Sequence, residues 1–183
     1  MAKELIVPEV NTLSVLESAF EYIGHGISVV PIYPEGKENE KRYKRSPVLW
    51  RKYQKELPSV DQAIAWWGED SPYEDYNLAI VTGQLSNIAV IDADNPEALR
   101  QLQLAIGVMP EPEENPIIKT PRGWHIYYEY TPQIKTRTTL FDIENLDGRG
   151  EGGYVIAPPS IIDGVRYRRI MKRANRHETI KSS

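Results

Sequence analysis

The chain contains no cysteine. That excludes disulfides and thiolate-bound zinc, and it makes a cytoplasmic setting the default expectation. No apolar run reaches the length of a membrane span, and the first residues lack the basic-then-apolar pattern of a signal peptide. Excess positive charge is missing too: the formal net charge is −4, which gives no global sign of nucleic-acid binding. There is no internal repeat and no low-complexity linker.

What is present is an ordinary folded composition, 40% apolar and 26% charged over 183 residues, enough for one domain with a sizeable core. Charge is unevenly spread. Residues 164–177 hold six Lys or Arg and no acid, and residues 41–45 hold four basic side chains. Such runs are ordinarily solvated surface unless a site lies nearby. Asn11 or Thr12 can cap a helix carrying Leu13, Leu16, Phe20 and Ile23. "ISVVPIY" (27–33) reads as a buried strand that Pro31 marks as an edge or a bulge. Ser59 with Gln62 opens a short helix through Trp66 and Trp67. "NLAIVTG" and "NIAVID" read as strands joined by "GQLSN". Asn95 and Pro96 start a helix with Leu99, Leu102 and Ile106 on one side and Gly107 at its end. The second half is strand-rich: "IIKT", "WHIYYEY", "YVIAPPS" and "VRYRRI". The pattern is α/β, a single domain over 1–176 with lobes at 1–76 and 77–176, followed by a tail at 177–183.

Three stretches carry chemistry. "TGQLSNIAVIDAD" (82–94) runs from a core strand into Asp92 and Asp94. Side chains alternate along a strand, so the two carboxylates share a face if the extended backbone continues. Like charges that close repel, and a divalent ion removes the difficulty with hard oxygen ligands. Taken alone, Asp-x-Asp is more often a strand end and the start of a turn, with each carboxylate solvated or capping. "TPRGWHIYYEY" (120–130) puts His125, Tyr127 and Glu129 on one face and Trp124, Ile126, Tyr128 and Tyr130 on the other. The second set is expected to face the core, leaving His125 pointing away from it. A lone strand histidine is ordinarily structural; beside Arg122 and Gly123 it becomes a candidate phosphate contact. "LDGRGEGGYVIAPPS" (146–160) adds Asp147 and Arg149. Its glycines formally satisfy G-x-G-x-x-G, but a strand rather than a helix follows, so a tight hairpin turn is the expectation. Carboxylates for metals with cations for phosphate are the components of phosphoryl or nucleotidyl transfer. The tryptophans are expected in the core rather than stacked on bases.

At these residues the sequence resembles the bifunctional primase-polymerase family of the archaeo-eukaryotic primase superfamily. The resemblance runs in order through "AFEYIGHGISVVPIYP", the basic Lys44 and Arg45 before Pro47 with Trp50, "NLAIVTGQLSNIAVIDAD", "TPRGWHIYY" and "LDGRGEGGYVIAPPS". It implies an α+β fold, an RRM-like antiparallel catalytic sheet with helices joined to an N-terminal α/β unit. It implies that Asp92, Asp94 and Asp147 hold two Mg²⁺ or Mn²⁺ ions, about 3.5–4 Å apart. His125 would contact the phosphates of an incoming nucleotide, with Arg122 and Arg149 holding the triphosphate. The implied activity is DNA primase and DNA polymerase, with a single-stranded DNA template, a primer strand and dNTP or NTP as partners. Template binding would fall to residues 164–177 and 41–45. The chain departs from the family pattern in lacking a cysteine-based zinc element and in having one glycine, not two, before the histidine. Family members often continue into a helical priming domain or a helicase, and "ETIKSS" carries no stop signal, so a longer parent protein is compatible with the sequence. Two rival activities share parts of this set: a metal-dependent phosphohydrolase or nuclease, and a non-catalytic nucleic-acid-binding module.

Overall fold

The computed structural model describes residues 5–36, 42–107, 110 and 115–171. In chain order the elements are α1 (Val15–Gly24), β1 (Val29–Ile32), α2 (Val60–Trp67), β2 (Asn77–Val81), β3 (Ile88–Ala93), α3 (Pro96–Ile106), β4 (Ile117–Lys119), β5 (Trp124–Glu129), β6 (Leu146–Arg149), β7 (Tyr154–Ile156), β8 (Ile161–Ile162), β9 (Val165–Arg166) and β10 (Arg168–Arg169). This mixture of helices and antiparallel sheets is an α+β fold. No helix among the described residues is long and apolar enough to cross a membrane.

Helix α1 starts one turn later than the apolar pattern predicts. Ser14 is the cap: its hydroxyl accepts from the Glu17 amide while the Glu17 carboxylate accepts from the Ser14 amide, a reciprocal capping box. Asn11 is engaged elsewhere, exchanging two hydrogen bonds with the Arg169 backbone across 158 positions of sequence. The buried face of α1 is accordingly Ser18, Ala19 and Tyr22, with Leu16, Phe20 and Ile23 only partly covered. Helix α2 begins at Ser59 as expected, and Trp66 and Trp67 are core residues. Helix α3 begins on the Asn95 cap with Pro96 at its first position and ends on Gly107 in the left-handed region.

The strands form two main sheets. One has the order β1-β2-β7, with Pro31 on an edge strand where its missing N–H costs no ladder bond. The other has the order β10-β4-β5-β3-β6. The predicted "GQLSN" turn therefore carries the chain from one sheet to the other, since β2 and β3 belong to different sheets. Strand β7 returns late in the sequence to pair with β2.

Both faces of the five-stranded sheet are covered, which corrects the expectation of one core face on β5. Ala89, Ile91, Ala93, Ile126 and Leu146 pack with α3 on one side. Ile88, Val90, Ile118 and Tyr127 pack toward the three-stranded sheet on the other. His125 lies on that second face and is 5% exposed, so it is buried rather than directed away from a core.

Candidate active site

The register of the five-stranded sheet builds the site. His125 pairs with Asp92 across β5 and β3, and Asp92 pairs with Asp147 across β3 and β6. Three polar side chains from three neighbouring strands thus stand in one row, spaced by about 4.8 Å from strand to strand. One pleat back along the same face, the row is Tyr127, Val90 and Arg149. The face changes there from apolar to charged, and the charged end opens into a cleft of about 440 Å³. Asp92, Asp94, Asp147, His125, Arg122 and Arg149 all line it.

Asp94 reaches this cleft from just beyond the end of β3, where its amide donates to the Asn145 carbonyl and keeps the chain extended for one more residue. Opposite it, the turn before β5 crosses close over the end of β3. At Gly123 a Cβ would overlap the Ala93 carbonyl, so only glycine lets the two strand ends meet. That approach brings Arg122 beside Asp94. Asp147 and Arg149 alternate with Leu146 and Gly148 along β6, which puts the charged pair on the cleft side and the other two inward. The predicted glycine turn is therefore partly a strand. Gly150, just past its end, lies under the Ile134 carbonyl, where any side chain would collide. No helix follows these glycines, in keeping with the rejection of a dinucleotide fingerprint.

Each acid has a nitrogen donor beside it. Arg122 Nη2 is 2.8 Å from Asp94 Oδ1, and Arg149 Nη2 is 2.8 Å from Asp147 Oδ2. His125 Nε2 is 3.5 Å from Asp92 Oδ1. The Thr139 amide also donates to Asp147 at 3.3 Å. Burial works against charge on Asp92, but the imidazole of His125, with Arg149 and Arg122 beyond it, outweighs that and holds the carboxyl below its ordinary range. The far ring nitrogen of His125, Nδ1, is buried with no hydrogen-bond partner among the described residues.

Whether a divalent ion suits this site turns on the carboxylates. Three hard-oxygen donors on one wall of a polar cleft match what Mg²⁺ or Mn²⁺ takes. As placed, no group of three or more His, Asp or Glu among the described residues is arranged to hold an ion, because each carboxylate has turned toward its own nitrogen donor. Arg122 is two-thirds exposed, so its ion pair with Asp94 can open at little cost. The donor chemistry fits; the closed shell is not preformed.

Lys44 and Tyr167, from the two runs expected to bind template, line the cleft as well, as do Trp50 and Tyr154. Trp50 and Tyr154 meet edge to face at 5.0 Å. The Tyr154 hydroxyl donates to the Lys44 carbonyl at 3.2 Å, tying the basic loop to β7. Tyr167 stands edge-on to the His125 ring at 5.7 Å. Burial, then the charges of Asp92 and Asp163, push its phenol above the usual range, so it stays protonated at neutral pH. Only alternation could have signalled it, as the inward residue between exposed Arg166 and Arg168.

The basic runs divide. Arg166 and Arg168 are exposed, whereas Arg169 donates to the Val7 carbonyl, and residues 172–177 lie outside the described residues, as does Lys41. Trp124 is half-buried with Lys119 Nζ 3.9 Å above its ring, so one face is already taken.

No curated protein matches the chain. A family match spans the cleft and both main sheets. Residues 19–180 match the family described as bifunctional DNA primase/polymerase, N-terminal, and the chain belongs to that family.

Proposed function

We propose that this domain carries out template-directed nucleotidyl transfer, joining nucleoside triphosphates as a DNA primase and polymerase. Supporting it above all is the cross-strand row of His125, Asp92 and Asp147, with Asp94 at its end and Arg122 and Arg149 on the rim. Acids that would hold cations and cations that would hold phosphates meet in one cleft, although they come from three separate stretches of sequence.

Asp92, Asp94 and Asp147 would hold two Mg²⁺ or Mn²⁺ ions, which when bound activate the attacking 3′-hydroxyl and stabilise the leaving pyrophosphate. The chain's own residues do the rest. Arg122 and Arg149 release their carboxylates and turn to the triphosphate, a planar donor meeting an anion in place of an acid. His125 presents Nε2 to the same space from a buried and therefore fixed position. Such preorganised donors stabilise charge that grows during in-line displacement. Exposed Arg166 and Arg168 flank Tyr167 and offer backbone contacts to a single-stranded DNA template.

Primer extension separates this reading from its rivals. With template, primer, all four dNTPs and Mn²⁺, wild type should lengthen the primer, and Asp92→Ala and Asp94→Ala should each lower synthesis at least a hundredfold while remaining folded. Undiminished synthesis by the folded double variant would remove the acids from the mechanism. Nucleotide release from DNA without added triphosphates would instead indicate a nuclease.

A further inference from the structure

Tyr167 is 5% exposed, and its hydroxyl, paired with no other described residue, is not sealed in the core but opens on the cleft. Buried tyrosines ordinarily direct the O–H at an acceptor. Tyrosines elsewhere in the fold show the contrast, Tyr22 buried and Tyr43 half-buried. Tyr22 donates to the Pro158 carbonyl at 3.1 Å, and Tyr43 donates to Asp163 at 2.7 Å. Tyr127 also lacks a partner, but its oxygen is sealed in the core, while Tyr167 lines the cleft. Its position is fixed from several sides. The backbone amide donates to the Ser160 carbonyl at 2.8 Å, the ring meets His125 edge-on, and the following strand is tied down through Asn11 and Arg169.

A fixed donor without an acceptor, at the wall of a cleft rimmed by Arg122 and Arg149, is suited to an anionic oxygen supplied from outside. We infer that Tyr167 is a substrate-contacting residue whose hydroxyl donates to a phosphate oxygen of the bound nucleotide, next to His125. The inference rests on the nucleotide-binding reading of the cleft and adds a residue to it. Its phenol, held above the ordinary range by burial, remains a donor at neutral pH. The edge-on ring has a second effect. It walls the imidazole of His125 on one side and limits the directions in which Nε2 can point.

Calorimetric titration tests this with two probes, a dNTP and inorganic tripolyphosphate, both with Mg²⁺ and without DNA. Tyr167→Phe keeps the ring and removes only the hydroxyl. A hydrogen bond to a charged oxygen is lost, so both probes should bind the variant about tenfold more weakly than wild type. Equal binding by wild type and variant would overturn the assignment of Tyr167 and leave the nucleotide reading standing. A loss for the dNTP but not for tripolyphosphate would also overturn it, since the hydroxyl would then serve the nucleoside. Failure of wild type to bind either probe would sink the nucleotide reading itself.

Discussion

Asp92 shows how one side chain answers to opposing forces. It is mostly buried, which favours the neutral acid, and it stands in a row between another acid and a histidine. The nearby cations win, and its pKa lies below the ordinary 3.8. A depressed carboxyl contributes stability that is complete above the unfolded-state pKa and is lost as pH falls through the folded-state value. In metal-free buffer, wild type should therefore lose stability more steeply than Asp92→Asn as pH falls below the ordinary carboxylate value of 3.8. Urea titrations of both proteins across that range would show it. Parallel curves would mean that Asp92 makes no net favourable contact when charged. At this scale the sequence was informative about residue type and poor about surroundings. Asp-x-Asp at a strand end was legible. Burial of His125 was not, because alternation along one strand does not say whether the second face is covered.

At the scale of elements, the meeting of β3 and β5 decides whether the acids and the cations share a cleft. The contact depends on Gly123, where the backbone passes too close to the Ala93 carbonyl for any side chain. Gly123→Ala should force the turn away from β3 and cost about 2 kcal/mol, as overpacking in a rigid setting does. A lowered thermal midpoint and loss of the Arg122–Asp94 pair should accompany it, whereas an unchanged midpoint would show that the turn is free to shift. The one glycine present before the histidine is thus the residue that the close approach requires. Local signals fixed α2 and α3 well because Ser59, Asn95, Pro96 and Gly107 act on adjacent backbone. They misplaced the start of α1 because Asn11 answers to Arg169, a partner no local window contains. Likewise, the glycines of 146–153 resembled a turn because their purpose, admitting the 134–136 segment against β6, is long-range.

Over the whole molecule, antiparallel pairing gathers what the sequence keeps apart. Asp92 and Asp147 are register partners although 55 positions separate their numbers, and Lys44 and Tyr167 reach the same cleft from two more stretches. The ordered set of motifs made the family readable before any coordinates. Strand order and the split of β2 and β3 between sheets were not readable, since pairing partners are chosen by global packing rather than by local pattern. The central claim is that these distant acids act together on divalent ions. Electron paramagnetic resonance of Mn²⁺ tests it without reference to turnover. Wild type should deplete free Mn²⁺ at sub-millimolar concentrations, and Asp147→Asn should bind it at least tenfold more weakly despite lying on a different strand from Asp92 and Asp94. Identical Mn²⁺ binding by the two proteins would contradict the account.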